Sequence, residues 1–149
     1  MGPDYRGYRD ELSREISRLG ISDSTMLLDP VVGTLKYSLY ASADIFVLPS
    51  KSEAFSMSLL ESSAVGLPAI YSKQCHFPEL AKNNGGWEIE RSEDALANQL
   101  EKLLNLPKLK LKEQGLNAKK WAAANFSSEV IADKLIDLYK KVIYENSKL

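Results

Sequence analysis

Groups that could crosslink the chain or ligate a metal are scarce in this sequence. Its 149 residues hold one cysteine, Cys75, and one histidine, His76. A single thiol excludes an internal disulfide and suggests no oxidising compartment. Cys75 has no partner at ligand spacing, so a metal site is not expected. Net charge is scarce as well. Nineteen basic residues stand against 20 acidic ones, a formal charge of -1, too weak a field to gather nucleic acid or an anionic membrane. No apolar run approaches the roughly 20 residues that would span a bilayer. The opening MGPDYRGYRDEL is charged and has no apolar segment of the secretory kind. These absences lead to the expectation of a cytoplasmic or membrane-peripheral protein, with no nucleic-acid partner and no transmembrane segment. Neither an internal repeat nor a low-complexity tract is visible.

What is present is an ordinary globular composition, 44% apolar and 26% charged. The length suits one domain, which at this size buries about 70% of its unfolded surface. Residues 5–19 read as a helix, with Leu12, Ile16 and Leu19 at helical spacing and Gly20 as the stop. Residues 25–32, TMLLDPVV, suit a short strand that Pro30 confines to an edge. A short helix is expected over residues 34–42. The run IFVL at 45–48 is continuous and apolar, the pattern of a parallel strand covered on both faces. A helix follows with Met57, Leu60 and Ala64 as its stripe and Gly66 as C-cap. PAIYS at 68–72 enters a second buried strand. Residues 77–82 read as a short helix and 86–89 as a short strand.

From Ser92 onward the pattern is helical, with new starts at Pro107 and at Ser127-Ser128-Glu129. The second of these helices runs to about Ala124. The last carries a stripe of Ile131, Leu135, Leu138 and Val142 over residues 127–145. Alternating strands and helices followed by helices alone specify an α/β fold. It is a Rossmann-like parallel sheet with flanking helices and a helical C-terminal tail. Lys102, Lys108, Lys110, Lys112, Lys119 and Lys120 read as a solvated helix face. Trp87 and Trp121 read as packing anchors, and His76 as an incidental loop residue. Glu79 is read as a helix cap, with an approach to the site as the other reading.

The stretch ADIFVLPSKSEAFSMSLLESSAVGLPAI, residues 43–70, concentrates the chemistry. In an open parallel sheet, ligands bind beyond the C-terminal ends of the strands. Residues 49–55 follow such an end and lead into a helix N-terminus, where unpaired amides and the helix dipole favour an anion such as a phosphate. Small residues (Ser50, Ser52, Ala54, Ser56, Ser58) let a ligand approach the backbone. Glu53 and Glu61 stand eight apart, roughly 12 Å along the axis if all eight residues were helical. An ionised carboxylate only accepts hydrogen bonds and can take both hydrogens of a vicinal diol. One acid per sugar ring is therefore sensible chemistry, although two solvated helix acids would have the same spacing.

The stretch resembles the signature of the retaining glycosyltransferases of the GT-B fold, the group 1 or family 4 enzymes. It has a strand ending in Pro49-Ser50, then Glu53 and Glu61 as E-x7-E, then Gly66 and Pro68. GPDYRGYRDELSREISRLGI (residues 2–21) and FPEL (77–80) resemble flanking parts of the same C-terminal domain. The resemblance covers nearly the whole chain. It implies an incomplete GT-B C-terminal domain, residues 1–149, that binds a nucleoside-diphosphate sugar. Glu53 would serve as the catalytic carboxylate that hydrogen-bonds the sugar's hydroxyls. Ala54, Phe55, Ser56, Met57 and Leu60 would line the sugar and phosphates, with Leu59 nearby, and Glu61 would take the ribose diol. Neither a metal nor a cofactor is implied, since protein groups offset the charge of the leaving diphosphate.

Several features depart from the family pattern. Ala54 and Ser56 stand where glycines are usual, and Ser62-Ser63 where Ala-Met is usual. Ser56 would set a hydroxyl where bare backbone meets the sugar. Asp29-Pro30 replaces a common glycine. A Gly-Arg and Lys-Gly pair that clamps the diphosphate has no match here, and Lys51 and Lys73 are the nearest loop cations. The N-terminal acceptor domain has no counterpart either. The chain alone is thus expected to bind nucleotides weakly and not to catalyse transfer. The alternative is a non-catalytic nucleotide-sugar-binding subunit that requires a partner chain. In the usual strand order the two central strands would be missing, leaving 45–48 with an open apolar edge. That edge is expected to pair with residues 25–32 or to be covered by a second chain, as in a homo-oligomer.

Overall fold

The protein is described by a computed structural model covering Asp4 and residues 7–146. Two compact units divide the chain, one up to Ser38 and one from Leu39 onward. In the first unit, α1 (Tyr8–Arg18) follows Gly7, whose φ of 73° suits glycine. The expected helix began at Tyr5. Tyr5 and Arg6, like Gly2 and Pro3 of the matched flank, lie outside the described residues. Ser22–Ser24 form a 3₁₀ turn.

Residues 25–32 form no strand, contrary to the expectation from their apolar run. Two local causes remove the groups a ladder would use. Arg9 donates through Nη2 to the Leu27 carbonyl at 3.1 Å and through Nη1 to Asp29 at 2.5 Å. Pro30 has no N–H to offer. The segment is tied to a helix instead of a sheet, and α2 (Gly33–Ser42) follows it.

The second unit is built on three parallel strands, β1 (Phe46–Leu48), β2 (Ala69–Ser72) and β3 (Gly86–Ile89), in the order β1-β2-β3. Phe46 pairs with Ala69 and Leu48 with Tyr71, and Ala69 pairs with Gly86 on the other side. All four residues of β2 are buried, whereas those of β1 are half-buried. A central strand covered on both faces needs a continuous apolar run, which explains AIYS. Among the described residues β1 has a strand neighbour on one side alone.

The helices are α3 (Met57–Val65), α4 (Pro78–Lys82), α5 (Glu93–Leu104), α6 (Lys108–Phe126) and α7 (Ser128–Asn146). The Ser92 hydroxyl accepts from the Ala95 amide and caps α5. α6 runs two residues beyond the expected end at Ala124. The face of α3 differs from the expected stripe. Leu59, Ser62 and Ser63 are buried, while Met57 and Ala64 are exposed and Leu60 is half-buried. Both serine hydroxyls donate to the Leu59 carbonyl, at 2.9 and 2.8 Å. Their polarity is satisfied inside the helix, and their small size fits the packed face. Apolar spacing cannot find such a face.

The core gathers Leu59, Ala69, Tyr71, Cys75, Phe77, Leu80, Ala118, Trp121 and Ala122. Trp121 is thus a packing anchor, as expected. α7 differs: Ile131, Leu135, Leu138 and Val142 are 37%, 45%, 53% and 45% exposed.

Candidate functional site

β1 and β2 are parallel, so the segments leaving Leu48 and Ser72 emerge at the same edge of the sheet. Three contacts stitch them together, and a fourth closes within the segment after β1. Ser72 Oγ donates to the Ser50 carbonyl at 2.7 Å, and Cys75 Sγ donates to the Leu48 carbonyl at 3.7 Å. The Glu53 amide donates to the Gln74 carbonyl at 3.2 Å. Ser50 Oγ donates to Glu53 Oε1 at 2.6 Å. Glu53 is therefore a half-buried carboxylate held at both its backbone and its head group. Ser72, Gln74 and Cys75 were not singled out from sequence for this role. Their partners lie more than 20 positions away, and only the register of β1 on β2 brings them together.

Beyond Glu53 the loop runs through Ala54 and Phe55, both exposed, to Ser56. Phe55 stacks its ring 5.1 Å from that of Phe77 and 5.7 Å from that of Phe126. Phe77 and Phe126 in turn pack on Trp121, at 5.6 and 5.3 Å. The loop thereby rests on an aromatic cluster that includes the end of α6. Ser56 occupies the N-cap position of α3 but makes no capping bond, and its hydroxyl is buried without a partner.

The amides of this segment are mostly unpaired. Met57 N–H donates to the Phe55 carbonyl at 3.0 Å and Leu60 N–H to the Ser56 carbonyl at 3.1 Å. Among the described residues, the amides of Ala54, Phe55, Ser56, Ser58 and Leu59 have no intramolecular acceptor. The first turn of α3 carries no acidic residue. Free amides at the positive end of a helix dipole make a place for an anion.

Glu61 is half-buried in the second turn of α3. The separation imagined for eight helical residues does not apply, because Glu53 lies in the loop before the helix. Only the four steps from Met57 to Glu61 are helical, about 6 Å of rise. Leu59 is fully buried in the core, whereas Leu60 is partly accessible.

Other candidates are otherwise engaged. The Lys73 ammonium pairs with Glu90, which raises its pKa. Glu79 pairs with Lys82 at 3.0 Å, and no side chain caps α4, so the expected cap is not formed. His76 is exposed and takes a left-handed conformation, φ 57°, closing the turn after β2. Burial pushes the Cys75 thiol up. Among the described residues no group of acids, histidine and cysteine is arranged to hold a metal ion. No described helix is long and apolar enough to cross a membrane.

A parallel sheet with a carboxylate-bearing loop that opens onto a helix N-terminus defines the Rossmann-like α/β class. Its members take ligands at the carboxyl ends of their strands. Residues 2–121 match the glycosyl transferases, group 1, and the chain belongs to that family. It is 31% identical over 145 residues to an uncharacterized glycosyltransferase of Methanocaldococcus jannaschii, covering 92% of this chain and 35% of that protein. It superposes on sucrose-phosphate synthase from Thermosynechococcus elongatus with a TM-score of 0.83 at 21% identity, covering 97% of this chain and 37% of that one. On HepE of Anabaena, solved in complex with UDP, the TM-score is 0.80 at 23% identity, covering 90% and 37%. HepE has also been solved with UDP-glucose. The fold is thus that of a GT-B C-terminal domain. The chain spans about a third of the length of the curated relatives it matches, 35%, 32% and 34% for three of them.

Proposed function

We propose that the loop 49–56 and the N-terminus of α3 hold a nucleoside-diphosphate sugar. In this reading a protein of its relatives' length transfers that sugar to an acceptor with retention of configuration. One observation carries the proposal. Unpaired amides at the accessible Ala54, Phe55 and Ser58, with those of the buried Ser56 and Leu59 behind them, lie directly beside a carboxylate fixed by Ser50. Membership of the glycosyltransferase family supports it, as do the UDP and UDP-glucose found in HepE.

The diphosphate would take the amides, whose hydrogen bonds strengthen when the acceptor is ionised. Glu53 would accept hydrogens from the sugar's hydroxyls and Glu61 those of the ribose diol. In transfer, the bond between the anomeric carbon and the diphosphate oxygen breaks, and the nucleoside diphosphate leaves with the electron pair. A bond from the acceptor oxygen to that carbon forms, and the acceptor's hydroxyl proton is released. The amides at the α3 N-terminus oppose the charge that develops on the leaving group. Acceptor binding is assigned to a domain outside this chain.

Titration of the ¹⁵N-labelled chain with UDP-, GDP- and ADP-sugars tests the reading. Binding is expected to be weak, because no Arg and Lys pair clamps the diphosphate. Amide shifts should concentrate between residues 53 and 61. Glu61→Gln should weaken the nucleotide and its sugar conjugate alike, by about tenfold. Shifts absent with all three nucleotide classes would overturn the site assignment. A dissociation constant in the micromolar range would overturn the role given to the missing cations.

A further inference from the structure

The carboxylate of Glu53 does not reach into the loop crevice as an unrestrained side chain. Its Oε1 receives the Ser50 hydroxyl at 2.6 Å, the short distance typical of a hydroxyl bonded to an ionised oxygen. A carboxylate is an acceptor only, so Ser50 must be the donor, and the lone pairs of its own oxygen stay available. Ser50 is itself fixed from below. Its carbonyl accepts from Ser72 Oγ at 2.7 Å, and Ser72 is fully buried at the end of β2. The Glu53 backbone is anchored independently through Gln74. A rigid strand end thus holds a hydroxyl, and that hydroxyl holds one oxygen of the carboxylate. The second carboxylate oxygen has no protein partner among the described residues.

We propose that Ser50 is a positioning residue that presets the Glu53 carboxylate for the sugar half of the ligand. It would thereby set how far the site prefers a nucleoside-diphosphate sugar over the bare nucleoside diphosphate. The inference rests on the function proposed above and adds a division of labour to it. The amides and Glu61 hold what the two ligands share. The Ser50–Glu53 pair acts only on the part that distinguishes them. Orienting the long Glu53 side chain before binding removes an ordering cost that the sugar would otherwise meet. It also aims the unshared oxygen. The Ser50 oxygen, its proton committed to Glu53, becomes a second acceptor beside that carboxylate.

The test compares UDP-glucose with UDP, with GDP-mannose and GDP and ADP-glucose and ADP as parallel pairs. Wild type, Ser50→Ala and Ser50→Thr are titrated by NMR. Ser50→Ala is expected to lower affinity for the sugar conjugate about three- to tenfold, the value of one hydrogen bond, and to leave the bare nucleotide unchanged. Ser50→Thr, which keeps the hydroxyl, should restore most of the loss. A double-substitution cycle with Glu53→Ala separates positioning from general loop damage. In the Glu53→Ala background, Ser50→Ala should have no further effect on the ratio of the two affinities. An equal loss for conjugate and nucleotide, or additive effects in the cycle, would overturn the inference while leaving the site assignment standing. An unsubstituted chain that binds none of the six ligands would overturn the site assignment and this inference with it.

Discussion

At the scale of single residues, some of the side chains that hold the site in place lie beneath it, buried away from any ligand. Tyr71 shows this in the strand beneath the loop. It is fully buried, and its phenol donates to the Phe77 carbonyl at 2.9 Å, fixing the turn that leads to the aromatic cluster under Phe55. Burial, with Glu88 adding to it, pushes the Tyr71 pKa well above the ordinary tyrosine range. The unfolded phenol titrates near 10 while the folded one stays neutral, so the unfolded state loses its proton first. Stability from this group is full below about pH 10 and falls as pH rises toward the folded pKa, by about 1.4 kcal/mol per unit. Urea unfolding between pH 8 and 11 should show a steeper alkaline loss in wild type than in Tyr71→Phe. Equal slopes would refute the assignment. At neutral pH Tyr71→Phe should cost about 1 kcal/mol for the lost hydrogen bond.

At the scale of elements, the crossing of α3 on α6 decides how the site helix is held. α3 ends in a Schellman arrangement. Gly66 has φ 88°, its N–H donates to the Ser63 carbonyl, and Leu67 N–H donates to the Ser62 carbonyl. That glycine was readable as a cap from its place after the apolar stretch. Its counterpart was not. Gly115 lies in the middle of α6, where a glycine is usually a liability of about 1 kcal/mol. A Cβ there would sit 2.0 Å from the Gly66 carbonyl oxygen, against backbone that cannot swing aside. The clash outweighs the gain in helix propensity, so Gly115→Ala should destabilise the protein by about 1–3 kcal/mol net. Chemical denaturation measures it, and a more stable variant would show that the helices are not closely packed there. The same locality explains the unread face of α3. Ser62 and Ser63 are buried by elements distant in the chain, and nothing in their own neighbourhood marks them as core.

At the scale of the whole molecule, two surfaces carry unpartnered character. β1 has a strand neighbour only on the β2 side among the described residues, and the expected pairing with residues 25–32 is excluded because they form no strand. α7 presents Ile131, Leu135, Leu138 and Val142 at least one-third exposed. Open edges and apolar stripes of this kind favour association. Sedimentation velocity across a hundredfold concentration range should therefore show self-association of the isolated chain. A monomer throughout would contradict this expectation.

The sequence by itself determined the order of strands and α-helices from residue 33 onward, the apolar run of β1, the Gly66 cap and the E-x7-E signature with its family. These are local patterns, written in spacing and in runs that a single element must carry. Only the tertiary structure decided that residues 25–32 leave the sheet, because Arg9 takes the Leu27 carbonyl. It alone showed the small-residue face of α3 and the need for Gly115 in α6. It alone tied Glu53 through Ser50 to Ser72 and through its amide to Gln74. Each of these depends on contact between distant positions, and such contact is set by strand register and helix approach rather than by any residue's own type.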